Sequence, residues 1–511
     1  MNATPIRASH VNTGTALSRK ELPRPTMNGR VMRLPKHHVE VEEDSHVTPY
    51  GGLALVVDFL RQFDVAARLD AALSLLKQYQ PYTEADHVLA QVMNLYVGGT
   101  CIEDLAHLQG SEAVRRLVGA CRLPDPTTAG DFLRRFDPAR NPGSLEALRR
   151  VVDEMQTAVW QRLKRKQRGK RTPRERIKID IDAHNKEVYG RSKEGADFSR
   201  TGKWSYNQLL ISMAGTGECL AVRNRPGNTR DSEGAAALLD ETLARIRPHG
   251  QSVLVRGDSD FDRRDVREAC VKHGAHFAFV GREFANRPGL AESIAEDQWQ
   301  PFEPRAARAA AQRRKQPGYR ARRKRRNRRR QRARERGYKD LHLVRQWVAE
   351  VPWTPPHSNT TYRLVIRRQR IEHWEGQQLL FTDYRYRYIV TNLPPAVSSH
   401  QVVDETYERC DQENTIEQMG SGIAAWRMPA GDFWANCAWL EMARLAWNLG
   451  KWIAQLALPA EVVRWEWKRF RHAFVYLAAT VVKRSRQIWI RFSASHRFLA
   501  EVVSAHHRML R

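Results

Sequence analysis

The sequence lacks the features of a membrane, secreted or disulfide-bonded protein. Its six cysteines include no Cys-x-x-Cys pair, so we expect free thiols in a reducing cytoplasm and no zinc site. It has no run of about 18 uncharged apolar residues and no apolar core of an N-terminal secretory signal. Mean hydropathy is −0.61, yet hydrophobic residues make up 41% of the chain. A length of 511 residues therefore predicts roughly three to four packed domains with no membrane contact.

The sequence has many more basic residues than acidic ones. Lysine and arginine number 85 against 57 acidic residues, which gives a formal net charge of +28. This favours a nucleic-acid partner over a merely basic protein. Residues 305–336 are dominated by arginine, and we interpret them as an arm that contacts DNA phosphates, the alternative being a disordered basic tail. The candidate contacts in this arm are Arg322, Arg323, Lys324, Arg325, Arg326, Arg328, Arg329 and Arg330.

Changes in composition and periodicity divide the chain into six predicted segments. The first part is polar, the next is helical, and the central part alternates in the manner of strands. The helical N-terminal part has start and stop signals at Pro126 and Gly98, and it either docks on DNA or supports the next domain. The segments are a flexible N-terminal arm (1–45), a helical DNA-binding domain (46–165), the first part of a catalytic domain (166–281), an insertion domain with the arginine-rich arm (282–384), the second part of the catalytic domain (385–455) and a C-terminal helical region (456–511).

The central part predicts a sheet with the strand and helix order β-β-β-α-β-α-β. We expect a return strand at 385–391, after the insertion. This is the order of a ribonuclease-H-like domain. The predicted fold class is therefore multidomain α/β: a ribonuclease-H-like catalytic domain, interrupted by a basic strand-bearing insertion, with helical N-terminal and C-terminal regions. The predicted strands are 177–183, 207–214, 219–223, 252–255 and 276–280, and the helices are 232–246 and 263–273.

Two aspartates follow the first and fourth strands of this sheet, which are neighbours in such a fold. Asp182 ends the run IDID, and Asp258 lies in RGDSDF. Carboxylate oxygens suit Mg²⁺, and two ions about 4 Å apart can activate one oxygen and stabilise another. Asp180 is the runner-up to Asp182, since both lie on one strand face. Asp260 and Asp262 are interpreted as solvated turn or capping residues.

A third acid, Glu413, is expected on a late helix. Arg409 lies one turn before it, where it can hold a phosphate or orient a carboxylate. The alternative is an ordinary surface pair of arginine and glutamate, worth a few tenths of a kcal/mol. Trp374, in the segment RIEHWEGQQ, is a candidate for handling DNA ends, with a packed hairpin tryptophan as the alternative.

The motifs RGDSDF, IDID and YERCDQEN resemble those of DDE transposases of bacterial insertion sequences, most of all insertion-sequence family 1380 in its YREK-type branch. The segments TPYGGLALVVDFL, YVGGTCIEDLAHLQG, YGRSKEGADFS and YIVTNLP resemble that family in the same order. The resemblance implies that Asp182, Asp258 and Glu413 bind Mg²⁺, or Mn²⁺ as a substitute, and cut DNA. It also implies that Tyr407 and Arg409 contact DNA.

The resemblance further implies the partners and the reaction. A homodimer would bind the terminal inverted repeats of its element, cleave them and join them to target DNA in the bacterial cytoplasm, in association with the nucleoid. The alternatives are a domesticated repeat-DNA-binding regulator without strand transfer and a ribonuclease-H-like nuclease.

The sequence departs from the family signature at three places. Tyr407 precedes Arg409 by two residues instead of three. Gly420 stands where the signature lysine would fall, and Arg427 is a candidate replacement for that cation. His184 follows the first aspartate where a small hydroxyl residue is usual, and it is either a group supporting the site or a structural histidine.

Overall fold

The structure is a computed structural model, and it describes residues 46–78, 81–166, 176–246, 252–281, 286–314, 337, 339–356, 358–485 and 487–510. Within it, His46–Arg511 form one compact unit. The predicted N-terminal arm and the arginines proposed as phosphate contacts lie outside the described residues. Across the described ranges, no helix has the length and apolarity needed to cross a membrane.

The N-terminal part is helical, as the sequence predicts. Thr83 caps one helix through a reciprocal pair of hydrogen bonds with Asp86, and Gly98 ends that helix with φ of +112°. Asp125 caps another, with Pro126 in its first turn. The helices described here are α1 (Leu53–Gln62), α2 (Val65–Ala72), α3 (Glu84–Val97), α4 (Leu105–Gly110), α5 (Glu112–Val118), α6 (Pro126–Arg134) and α7 (Ser144–Lys166).

A mixed sheet forms the centre of the molecule. Its strands are β2 (Ile177–Glu187), β3 (Asp197–Phe198), β4 (Trp204–Met213), β5 (Cys219–Pro226), β6 (Val253–Gly257), β7 (His276–Gly281), β8 (Gln300–Pro301), β9 (Lys339–Trp353), β10 (Tyr362–Glu375) and β11 (Gln378–Thr391). The strand order is β3-β4-β2-β6-β7-β11-β10-β9-β8, with β5 paired to β4. Strands β2, β6 and β7 are parallel to one another, and the other pairs are antiparallel.

The insertion extends this sheet. The predicted return strand lies at the end of β11, where Tyr388–Thr391 pair with Ala278–Gly281 of β7. Strands β9 and β10 then pair onward from β11, so the main sheet and the insertion share one hydrogen-bonded surface. The helices α8 (Ala235–Ile246), α9 (Arg264–Lys272), α10 (Asn286–Glu292) and α11 (Arg305–Arg314) lie between these strands in the chain. The mixed α/β class is therefore confirmed.

The helices after the sheet pack against the N-terminal helices in one apolar core. The long helix among them is buried over most of its length and holds Trp439, Trp447 and Trp452 in that core. Phe59 of α1 stacks on Trp452 with ring centroids 5.8 Å apart. These helices are α12 (Ser399–Tyr407), α13 (Cys410–Ile423), α14 (Phe433–Ala457), α15 (Trp467–Phe474) and α16 (Leu499–Met509).

The prediction of an entirely helical C-terminal region is wrong at one hairpin. Strands β12 (Ala479–Arg484) and β13 (Gln487–Phe492) pair with each other, and the short β1 (Val47–Thr48) adds to β12. The run ATVVKRSRQIWIRF is rich in β-branched residues, which favour strands. Ser485 turns the chain between the strands with φ of +45°.

Candidate active site

The strand register brings Asp182 and Asp258 to the same level of the sheet. Parallel pairing of β2 with β6 runs from Ile177 opposite Val253 to Asp180 opposite Arg256. Two residues further along each chain stand Asp182, still in β2, and Asp258, just after the end of β6. Because the two strands are adjacent and parallel, the two carboxylates lie at the same level. Asp258 stands at the end of β6, whereas Asp182 lies inside β2, which runs on to Glu187 and not, as predicted, only to residue 183.

Both carboxylates are held in a partly buried, negatively charged environment. Burial raises the pKa of Asp182; Arg409 opposes this rise, and the charge of Glu413 adds to it. Burial also raises the pKa of Asp258, and the charge of Asp182 adds to that rise. The backbone N–H of Asp260 donates to Oδ1 of Asp258 at 2.9 Å and holds this side chain at the strand end. The two aspartates thus act on each other electrostatically.

Arg409 is the counter-ion of this pair. Its Nη1 donates to Oδ2 of Asp182 at 2.8 Å, and each side chain is only 16% exposed. Although burial alone would lower it, the pKa of Arg409 is raised, because Asp182, Asp258 and Asp180 surround it with negative charge. The arginine therefore stays charged and orients the carboxylate, which is one of the two roles expected for it.

The helix that was expected to carry Arg409 and Glu413 is interrupted just before Arg409. Helix α12 ends at Tyr407, α13 begins at Cys410, and Arg409 is the N-cap of α13. Glu413 is in the first turn of α13 and is exposed. From the N-cap position the side chain of Arg409 reaches Asp182.

The two aspartates suit a divalent metal, although they form no three-residue ligand group within the described part of the chain. Among the described residues, no group of three or more His, Cys, Asp or Glu side chains could hold a metal ion. Mg²⁺ nevertheless binds through one or two carboxylates, with water and substrate phosphates as its other ligands. Asp182 and Asp258 therefore fit a Mg²⁺ ion that is completed by DNA.

The sequence matches one protein family over nearly its whole length. The family is described as transposase DDE domain group 1, and the match covers residues 33–511. The chain belongs to this family. The prediction of a DDE transposase is thus confirmed at the level of the family, whereas membership of insertion-sequence family 1380 and a bacterial origin stay predictions.

Two further comparisons add little to the family assignment. Solved structures that resemble the chain include a piggyBac transposase synaptic complex with hairpin DNA, at 12% identity and a TM-score of 0.40. That alignment covers 84% of this chain and 80% of the other. No curated protein sequence matches the chain.

In this DDE-family chain, Asp180 is committed to a structural ion pair. Arg256 donates to both oxygens of Asp180, at 2.6 and 2.8 Å, and both side chains are 1% exposed. Gln412 of α13 donates to the carbonyl oxygen of Asp180 at 2.9 Å. Asp180 therefore ties β2 to β6 and α13, which favours Asp182 as the metal-facing residue of the two. Sequence reasoning missed Arg256, although it lies inside RGDSDF.

The interpretation of Asp262 as a solvated residue is wrong. Its carboxylate is fully buried and pairs with Arg267 and Arg287, the latter at 3.1 Å. Two arginines that arrive from α9 and α10 compensate its charge, and this compensation makes burial possible. Asp262 therefore anchors these two helices beside the site.

Gly420, where the resemblance to the YREK-type branch places a lysine, has no room for a side chain. A β-carbon there would lie 2.5 Å from Cδ1 of Trp426. The indole is fixed, since its Nε1 donates to the carbonyl oxygen of Ile416 at 2.9 Å. Arg427, the candidate replacement, is exposed next to that tryptophan.

His184 packs on Trp426, with ring centroids 5.4 Å apart. Burial lowers the pKa of His184 to about 4, so the ring is neutral at physiological pH. A neutral ring packed on a tryptophan matches the structural interpretation of this histidine.

The two aromatic candidates for DNA contact both pack against other residues of the chain. The ring of Tyr407 lies under the guanidinium of Arg367, at 4.7 Å from centroid to Cζ. Trp374 donates from Nε1 to Glu372 at 3.1 Å and stacks on His342. Both have partners within the protein, and their roles toward DNA stay predictions.

Proposed function

We propose that this chain is a cut-and-paste DNA transposase that binds the terminal inverted repeats of an insertion sequence, cleaves at their ends and joins them to target DNA. The observation that carries the proposal is the register of β2 and β6, which brings Asp182 and Asp258 to the same level of two neighbouring strands. Arg409, at the start of the helix that bears Glu413, forms an ion pair with Asp182. The family of the chain supports the same chemistry.

Asp182 and Asp258 would hold Mg²⁺, or Mn²⁺ in its place, with Glu413 as the third carboxylate. The bound metal would activate the attacking oxygen and stabilise the leaving one at the scissile phosphodiester. Burial keeps both aspartates poorly solvated, so their oxygens are available to a cation and not surrounded by water. Glu413 is exposed at the start of α13, where DNA can bring it into the ligand set.

Arg409 has a positioning role in this proposal. Its guanidinium holds Oδ2 of Asp182 and offsets the repulsion between the two aspartates before DNA is present. The Asp180–Arg256 pair fixes the strand on which Asp182 stands.

The finer description of the fold belongs to this proposal as well. The run of sheet neighbours β5, β4, β2, β6 and β7, with α8 and α9 in the connections, supports a ribonuclease-H-like catalytic domain. The excess of positive charge supports duplex DNA as partner. We further propose a homodimer, because two transposon ends must be held together for joining.

The matched variants Glu413→Gln and Glu417→Gln test the assignment of the third acid. Both residues are exposed glutamates of α13, one turn apart. We expect Glu413→Gln to lower cleavage of DNA that carries the element's ends by at least 100-fold in Mg²⁺, and Glu417→Gln to cut at nearly the wild-type rate. Equal activity of the two variants would remove Glu413 from the site.

A regulator that binds repeat DNA without strand transfer is the second candidate. The lost lysine at Gly420 favours it, and so does the absence of a three-residue metal group in the described ranges. Incubation of the wild-type chain with end DNA and Mn²⁺ separates the two functions, because a binding protein leaves the DNA without nicks.

A further inference from the structure

A polar cleft of about 340 Å³ opens beside the end of β6, where Asp258 stands. Asp260 lines it on this side, and its backbone N–H is the donor that holds Asp258. Asn185 lines it from β2, three residues after Asp182, so its side chain leaves the opposite face of the strand from that of Asp182. The cleft therefore adjoins the site through the loop after β6.

Three separate loops each bring one arginine to this cleft. Arg200 comes from the turn between β3 and β4, Arg230 from the loop after β5, and Arg263 from the segment before α9. Arg263 pairs with Asp265, which is itself about half exposed. Within the described ranges, Arg200 and Arg230 are exposed and no acidic side chain forms an ion pair with either.

The loop that carries Arg230 is fixed by a buried polar network. Asn207 is fully buried and donates to Asp231 at 2.8 Å and to Asn185 at 3.1 Å. Arg225, which is 9% exposed, donates to Asn207 and to the carbonyl oxygen of Asp231, the latter at 3.1 Å. The carboxylate of Asp231 is held by Asn207, and it lines the cleft together with that of Asp260, beside the three arginines.

Two further features make the walls of the cleft rigid. A β-carbon at Gly227 would collide with the carbonyl oxygens of Asp197 and Ser205, so the loop backbone lies directly on the sheet. The turn that carries Arg200 is closed by hydrogen bonds from Ser199 to Lys203 at 2.9 Å and from Gly202 to Ser199 at 2.8 Å. The cations are thus presented by a preformed surface.

We propose that this cleft binds the backbone phosphates of the DNA strand next to the scissile phosphodiester. This rests on the proposed function. Arginines that converge on a rigid polar surface, with hydroxyl and amide groups beside them, match the charge and hydrogen-bonding capacity of phosphate oxygens. Such contacts position DNA without reading its sequence. The cleft would hold the strand where it passes Asp260, two residues after Asp258.

The double variant Arg200→Gln/Arg230→Gln tests the cleft, with Arg484→Gln/Arg491→Gln as a control of equal charge change. Both control residues are exposed, on β12 and on β13. Binding of a fluorescent duplex of arbitrary sequence is measured by anisotropy, without divalent ions, from about 50 to 200 mM salt. The logarithmic salt slope should fall by about 1.8 in the cleft variant, since each phosphate contact contributes about 0.9. The control should keep the wild-type slope.

An unchanged slope in the cleft variant, or an equal fall in both variants, would overturn the proposal. Circular dichroism establishes that the variants are folded. Asp258→Asn is measured in the same assay and should bind with the wild-type slope. If the wild-type chain cuts no DNA, the proposed function is wrong, whatever the salt slope. If the wild-type chain cuts DNA and the cleft variant keeps the wild-type salt slope, only the proposed role of the cleft is wrong.

Discussion

At the scale of residues, the counter-ion decides what each acid of β2 can do. Asp180 and Asp182 lie on the same face of the strand, yet Asp180 is fully enclosed with Arg256, while Asp182 shares a partly open site with Arg409 and Asp258. The sequence could predict the pair of candidates from alternation alone. It could not separate them, because the choice depends on a register between strands that lie more than 70 residues apart in the chain.

Burial of Asp258 makes a prediction about stability and pH. Its folded pKa lies above the unfolded value of about 3.9, so burial of the ionised form destabilises the folded chain at neutral pH. We expect Asp258→Asn to raise the free energy of unfolding at pH 7. This gain should shrink as the pH falls through the raised pKa toward the ordinary one, because the wild-type carboxyl then becomes neutral too.

Denaturant unfolding at pH 7 and pH 4, without divalent ions, measures this effect. Asp131, an exposed aspartate on α6, provides the control: Asp131→Asn should change stability by less than about 0.5 kcal/mol at either pH. A loss of stability in Asp258→Asn that is the same at both pH values would contradict the account.

At the scale of elements, the strands β2, β4, β5, β6 and β7 and the helices α8 and α9 were predictable, whereas β3, β8, β9 and the junctions between elements were not. The pattern of Ser252–Val255 and the hairpin around Gly215–Gly217 predicted β6 and the β4–β5 turn to within a few residues. The sequence has no proline or glycine at the break between α12 and α13 that would have predicted it. It arises from tertiary contacts, since Arg409 turns toward Asp182 and Gln412 reaches β2.

The packing of α13 on Trp426 predicts opposite effects for two Gly→Ala substitutions. In a helix, alanine is normally more stable than glycine by about 1 kcal/mol. Gly130 in α6 has only ordinary contact around its position, 3.7 Å from Arg134, so Gly130→Ala should raise the melting temperature. Gly420→Ala would push against the indole of Trp426 and should lower it. Thermal melts of the two variants check this, and a stabilising Gly420→Ala would show that the position does have room.

At the scale of the whole molecule, the catalytic sheet is supported by helices from both ends of the chain. Ion pairs join α7 to α14, among them Arg149 with Glu441 at 3.1 Å and Arg444 with Asp153 at 2.6 Å. Sequence patterns marked the N-terminal and C-terminal helices as apolar but could not show that they share one core, because periodicity carries no information about partners. The predicted segments therefore follow one another along the chain, but residues from several of them pack in the same apolar core.

The central claim is that Asp182 and Asp258 cut DNA, and Asp258→Asn in the full-length chain tests it most directly. Cleavage and joining of DNA bearing the element's ends are measured in Mg²⁺, with binding of the same DNA measured in parallel. The account predicts that binding stays at the wild-type level while cleavage and strand-transfer products both fall below detection. Cleavage at the wild-type rate by this variant would contradict it.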